Sequence, residues 1–370
     1  HNSRGADGEI IAGRGFWPGL CVSLKHNSKF AGFTLIAKGD FPAELNIPIP
    51  FALVSNDVSQ DKLVIMPGYW FMYNMYALAR NAGKYHSRDK RLDKSQVIEY
   101  DFLAPDTIGE MFDSLLLFKK SAATAWALKH KKKLIEKELL KKGEELLEKN
   151  PDALKGLELL AEGFENSNRK IQLVKVPEAY RLYKELITFY GTTQLIQFIA
   201  SKKIKGWKQL ETGLPKNASR TSWKNIGGQL IPEPAIRTLI RSIRTGKINE
   251  WDQVHDFYKK ESIAYPDKKF QQAYAGLLEI LHIGKAGLTR KTWIRLLEES
   301  MRTKEWMTAG IYESRAKDYR NPFRKMVYDT EAEMEKVIGK LKDNSFIGQQ
   351  QEELKEFKKQ VTELITRFLN

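Results

Sequence analysis

A histidine beside carboxylates is the smallest unit in this chain suited to moving a proton, and the opening residues supply one. His1, Asn2, Arg4, Asp7, Glu9 and Arg14 form a dense polar cluster. Imidazole titrates near neutrality, so His1 could deprotonate an acceptor hydroxyl or amine while Asp7 or Glu9 fixes its tautomer. His26, within Lys25-His26-Asn27, is a second candidate base. Arg14 and Lys38 are the nearby cations that would meet a phosphate. Tyr69, Trp70, Tyr73, Tyr76 and Arg80 recur at helical spacing; they could line a pocket for a sugar or base, Arg80 holding a phosphate, although aromatics so spaced more often form a core.

Two further groups are basic without any histidine chemistry. Lys131 and Lys132 lie within the run Lys129 to Lys133, and Arg237, Arg241 and Arg244 fall at i, i+4 and i+7 on one helical face. Such a stripe suits an anionic partner. No nucleic-acid-binding module signature accompanies it, and aromatics are not interleaved with the basic runs, so nucleic acid is the less favoured partner. Lys84, Arg88, Lys90 and Arg91 also cluster, but Asp89 and Asp93 interleave and the group reads as a solvated loop. Gly13, Gly15 and Gly19 do not match a phosphate-cradling fingerprint. The six histidines are scattered, so the sequence predicts no metal site, and nothing in it names a cofactor.

The elements that must position these groups change in character along the chain. Of its 370 residues, 61 are Lys or Arg and 46 Asp or Glu, giving a formal charge of +15, and Cys21 is the single cysteine. Disorder and a disulfide scaffold are excluded, because aromatics and aliphatics run throughout and Cys21 has no partner in the chain. No run reaches the roughly 18 apolar residues of a membrane span. Residues 1–104 carry 12 basic and 10 acidic residues, so nearly all the net charge belongs to the remainder.

In the first part Leu24, Phe30 and Ile36 recur every six residues, with Ser28, Thr34 and Asp40 at the fifth place of each hexad. That is the period of a parallel β-helix, although three hexads make one coil only. Pro42, Pro48 and Pro50 then favour an extended loop. A helix is expected from Pro67 to Gly83. From Pro105 the signals are helical, with Asp106 placed to cap and Leu128, Ile135, Leu139 and Leu146 forming a narrow seam in one helix ending at Asn150. Further helix starts are expected at Pro151, Pro177 and Pro232 to Pro234, and a last helix places Leu354, Phe357, Val361, Leu364, Ile365 and Phe368 on one face.

Residues 1–57 and 64–81, with RDKR at Arg88 to Arg91 and FLAPDTIGEMF at 102–112, resemble the later part of a family of long, uncharacterised bacterial proteins. Members carry an N-terminal left-handed β-helix of hexapeptide repeats followed by a helical region. The resemblance covers about a third of the chain and implies that His1 lies within the β-helix, with further coils before it.

The fold class expected is therefore α+β: the end of a left-handed parallel β-helix followed by a mainly α-helical bundle or short solenoid. Terminal coils and a closing loop would occupy 1–60, an aromatic helix and basic connector 61–104, and helices 105–370, with two subdomains joined near 206–232. The leading functional expectation is a cytoplasmic, transferase-like protein using a phosphate-bearing acyl-CoA or sugar-nucleotide substrate. His1 or His26 would be the base and Arg14, Lys38, Tyr73 and Arg80 the binding residues, in a site of the kind that trimers build between subunits. The alternative is a non-catalytic scaffold whose basic helices bind an acidic partner or nucleic acid. No membrane partner is expected.

Overall fold

A computed structural model of the chain describes residues 8–284 and 287–369. The chain divides into two compact units, each assembled from separate stretches: His1–Tyr69, Asp93–Ile187 and Arg220–Lys269 form the first, and Trp70–Leu92, Thr188–Ser219 and Phe270–Asn370 the second. In chain order the strands are β1 (Ile11–Ala12), β2 (Trp17–Pro18), β3 (Val22–Leu24), β4 (Lys29–Phe30), β5 (Leu35–Ile36), β6 (Gly39–Phe41), β7 (Asn46–Ile47), β8 (Leu53–Asp57), β9 (Lys62–Met66), β10 (Leu159–Ala161), β11 (Lys170–Leu173), β12 (Trp223–Ile226) and β13 (Gln229–Pro232). The helices are α1 (Tyr69–Tyr73), α2 (Met75–Arg88), α3 (Pro105–Lys129), α4 (Glu136–Lys149), α5 (Val176–Ser201), α6 (Trp207–Gly213), α7 (Glu233–Arg244), α8 (Trp251–Ile280), α9 (Arg290–Arg320), α10 (Pro322–Lys325), α11 (Glu331–Ile338) and α12 (Ser345–Leu369).

Strands β1 to β7 of the first unit pair in parallel. Ile11 lies opposite Lys29, Lys29 opposite Asn46, Trp17 opposite Leu35, and Leu35 opposite Leu53. The hexad residues Phe30 and Ile36 are buried, joined by Phe41, Ile47, Ile49, Phe51 and Val54. The fifth-place hydroxyls turn the chain between strands. Ser28 Oγ donates to the Lys25 carbonyl at 2.7 Å and accepts the Leu45 N–H at 2.9 Å, while Thr34 Oγ1 donates to the Ala31 carbonyl at 2.9 Å. Bonded in this way, the buried hydroxyls have the cost of their desolvation offset.

The expected fold class is nevertheless corrected. The described strands are only two to five residues long and lie in four separate sheets, in place of a left-handed β-helix. The largest sheet, ordered β10-β11-β9-β8-β5-β2, is mixed: β8 and β9 pair antiparallel, as do β10 and β11, whereas β11 runs parallel to β9. Strands β10 to β13 also fall inside the region expected to be helical. The chain is a mixed α/β protein. The physical reason is that hexad spacing sets only which residues point inward over a few short strands. The antiparallel return at β9 and the distant strand β11 then take over the pairing.

The expected long helix ending at Asn150 is two helices. The chain turns at 130–135, where Lys131 adopts a φ of 51°, and Leu128 and Ile135 are exposed rather than seated in a seam. The two helices meet at Gly143, where an added Cβ would lie 2.0 Å from the Lys119 carbonyl oxygen, so no larger residue fits without shifting a helix. Pro151 starts a single 3-10 turn, Pro151–Leu154, and then the chain enters β10. Starts near Pro177 and Pro232 are observed, at α5 and α7.

The helix expected from Pro67 begins at Tyr69 as α1, breaks at Asn74 and continues as α2 through Gly83 to Arg88. The last helix has the expected inward face: Val361, Leu364 and Phe368 are buried with Leu195, Ile196, Ile199, Trp293, Leu296 and Leu297. The Trp293 and Phe368 rings meet edge to face at 6.3 Å, a favoured aromatic geometry.

Candidate functional site

The first unit draws together a set of charged groups that are far apart in sequence. Arg14 reaches from the turn after β1 to the first turn of α3, where Nε and Nη2 each donate to Asp106 at 2.8 Å. Its Nη1 donates to the backbone carbonyls of Glu99 at 3.2 Å and Asp101 at 2.9 Å. The Arg14 side chain is 7% exposed and that of Asp106 14%. Burial works against the guanidinium charge, but Asp106 and Glu99 outweigh it and hold the Arg14 pKa above its ordinary value.

Glu99 continues the cluster. One carboxylate oxygen accepts from Lys269 Nζ at 2.8 Å and from the Tyr265 hydroxyl, and the other accepts the Asp101 N–H at 2.9 Å. Burial raises the Glu99 pKa, and the Lys269 charge with these hydrogen bonds more than reverses it, leaving the carboxyl below its usual range. Tyr265 and Lys269 lie one turn apart on α8, which places both on one face. One turn beyond Asp106, Glu110 accepts the Gly32 N–H at 3.0 Å. Burial first, and then the neighbouring Asp106 charge, push its pKa up to about 8, so it holds a proton at neutrality. A Cβ at Gly32 would come within 2.9 Å of Thr107 Cγ2 and 3.1 Å of the Glu110 oxygen, so glycine is what allows this close approach.

Chemically this arrangement holds shape. Four of the five Arg14 N–H donors are taken up by protein acceptors and the side chain is buried, so the group is committed to the fold rather than offered to a phosphate. Asp106 spends its carboxylate on Arg14 rather than capping α3; there Thr107 Oγ1 accepts the Ala104 N–H at 3.1 Å. Sequence spacing marked Arg14 and noticed Asp106 only as a cap. The sequence gives no sign of Glu99, and the one local signal for Tyr265 and Lys269 is their i, i+4 placement.

The other sequence-nominated residues are dispersed. His1 lies outside the described residues, as do Asn2, Arg4 and Asp7. His26 is partly buried and, among the described residues, has no hydrogen-bond partner to fix its tautomer; Lys38 is exposed. Tyr73 and Arg80 belong to the second unit, where Lys317 lies 5.7 Å from the Tyr73 ring centre and Arg80 5.5 Å from that of Phe346. Lys131 and Lys132 sit in the turn after α3, Lys132 lying 5.2 Å from the Trp126 ring centre. Among the described residues, no group of three or more His, Cys, Asp or Glu side chains is placed to hold a metal ion. No helix among them is long and apolar enough to cross a membrane.

Arg237, Arg241 and Arg244 are all exposed on α7. Arg237 meets Glu233 at 3.2 Å, while Arg241 and Arg244 have no ion-pair partner among the described residues. Leu239 is the one buried side chain of the helix, and Ile240 and Ile243 stand 43% and 47% exposed. A separate groove of about 460 Å³ lies between the 3-10 turn and the start of α5, with Lys155 and Lys175 on its rim paired to Asp152 and Glu178. None of the residues nominated from sequence lines it.

Comparison with known proteins bears on the part of the chain that holds α7. Residues 206–368 match the family model described as Domain of unknown function (DUF6819). The DUF6819 match takes in α6, all of α7 and nearly all of α12. A Treponema pallidum (strain Nichols) chain described as "Uncharacterized protein" is 35% identical over 353 residues, which is 95% of this chain and 47% of that one. The chain thus spans about half the length of the curated relative it matches. No solved structure matches it. The comparisons support an uncharacterised family and give no evidence of a hexapeptide repeat.

Proposed function

We propose that this chain is a non-catalytic interaction module of the cytoplasm, and that the basic face of α7 is its binding surface for an acidic partner. The observation that carries this reading is the exposed stripe Arg237, Arg241 and Arg244, two of whose guanidinium groups have no ion-pair partner among the described residues. Exposed cations on one rigid helix raise the local concentration of an anionic partner and steer its approach. Cys21, a free and exposed thiol, suits a reducing compartment. The transferase expectation has less to rest on, because Arg14 is engaged internally and Arg14 and Lys38 belong to a different unit from Tyr73 and Arg80.

The test is fluorescence anisotropy of labelled poly-L-glutamate with the full chain across a salt series. Binding should weaken steeply as salt rises, and the triple variant Arg237→Glu, Arg241→Glu, Arg244→Glu should lose most of it. Equal binding by wild type and triple variant would contradict the assignment.

A further inference from the structure

We infer that the surface presented by α7 is built for an anionic lipid bilayer; the inference rests on the binding face proposed above and names its partner. On a helical projection Arg237, Arg241 and Arg244 form one stripe, and Ile236, Leu239, Ile240 and Ile243 form the adjoining one. Ile240 and Arg244, four residues apart, meet where the stripes join. The apolar stripe is only partly used by the fold: Leu239 is buried and anchors the helix, while Ile240 and Ile243 remain about half exposed. The chain then turns at Gly246, whose φ is 70°, and α8 opens with Trp251, 78% exposed.

Each of these features alone is ordinary. Together they are what an interfacial helix requires: apolar side chains to enter the acyl boundary, and arginines beside them, whose stems lie along the apolar surface while their heads reach the phosphate level. An indole so exposed suits the headgroup region. From Glu233 to Lys247 there are four basic residues and one acidic residue, Glu233, which meets Arg237. A nucleic-acid backbone would take the arginines and leave Ile240 and Ile243 in water, so the apolar stripe decides for lipid. Spanning a membrane is a separate matter, and no described helix is long and apolar enough for that.

The experiment is cosedimentation of the full chain with vesicles of phosphatidylcholine, alone and mixed with phosphatidylserine, alongside duplex DNA and poly-L-glutamate binding at the same salt. Expected is binding to the mixed vesicles and little to phosphatidylcholine alone. The triple charge reversal at Arg237, Arg241 and Arg244 should cost on the order of 100-fold. The double variant Ile240→Ser, Ile243→Ser should cost about tenfold. All five positions are solvent-facing, and circular dichroism checks that the variants fold. Vesicle binding that ignores the isoleucine changes would overturn insertion, as would binding to DNA or polyglutamate that exceeds binding to vesicles; in both cases the basic face itself survives. Failure to bind vesicles, DNA and polyglutamate alike would overturn that reading as well.

Discussion

Replacing Arg14 with alanine is expected to destabilise the first unit by about 3–5 kcal/mol, the usual cost of removing one partner from a buried ion pair. The cause is specific. The Asp106 carboxylate, whose side chain is 14% exposed, would lose its ion-pair partner, and the carbonyls of Glu99 and Asp101 would lose the Nη1 donor. Arg14→Lys should recover only part of the loss, because an ammonium cannot reproduce the two parallel bonds to Asp106 while also reaching the carbonyls. Urea unfolding of wild type and both variants checks this. A change below about 1 kcal/mol for the alanine variant, as is usual for a surface pair, would show that the cluster does not hold the unit together.

The second large effect is a dependence on pH carried by Glu110. In the unfolded chain its carboxyl loses its proton near 4.5, whereas in the folded chain it keeps it up to about 8. Between those values the folded state binds the extra proton, so rising pH favours unfolding. The contribution is fully present below about 4.5 and is lost as pH climbs to about 8. At about 1.4 kcal/mol per pH unit, it amounts to roughly 3–5 kcal/mol across the window. Glu99 acts in the opposite sense, since its depressed pKa gives stability that is lost as pH falls. The difference between wild type and Glu110→Gln isolates the Glu110 part, because glutamine still accepts from Gly32 and does not titrate. The difference in unfolding free energy should change steadily from pH 4.5 to 8; parallel profiles would refute it.

What was legible in the sequence was mostly local. Pro177 marked the start of α5 and Pro232 with Pro234 that of α7, and the apolar spacing of the last helix gave its buried face, because these signals are set within a turn or two of chain. The hexad spacing correctly selected Phe30 and Ile36 as buried, whereas Leu24 is only partly so. It failed as a guide to the fold, because β9 returns antiparallel to β8 and the sheet continues through β11, more than a hundred residues later, in a pairing that no local pattern encodes. The break between α3 and α4 was invisible for a similar reason: Lys131 takes a left-handed conformation that no glycine announces.

The candidate site divides in the same way. Arg237, Arg241 and Arg244 could be read directly, since their exposure follows from one amphipathic helix. That Ile240 and Ile243 remain half exposed beside them could not, because it depends on how little of α7 the rest of the fold covers. The tie between Arg14 and Asp106 is a tertiary contact, and the isolated arginine read as a phosphate ligand.

The most direct measurement is amide hydrogen exchange of the full chain with and without poly-L-glutamate at low salt. Slowed exchange confined to peptides covering 233–251, with no change over 8–66, is the predicted result. Slowing elsewhere, for instance over the 151–181 groove, with α7 unchanged, would contradict the assignment of α7 as the binding face.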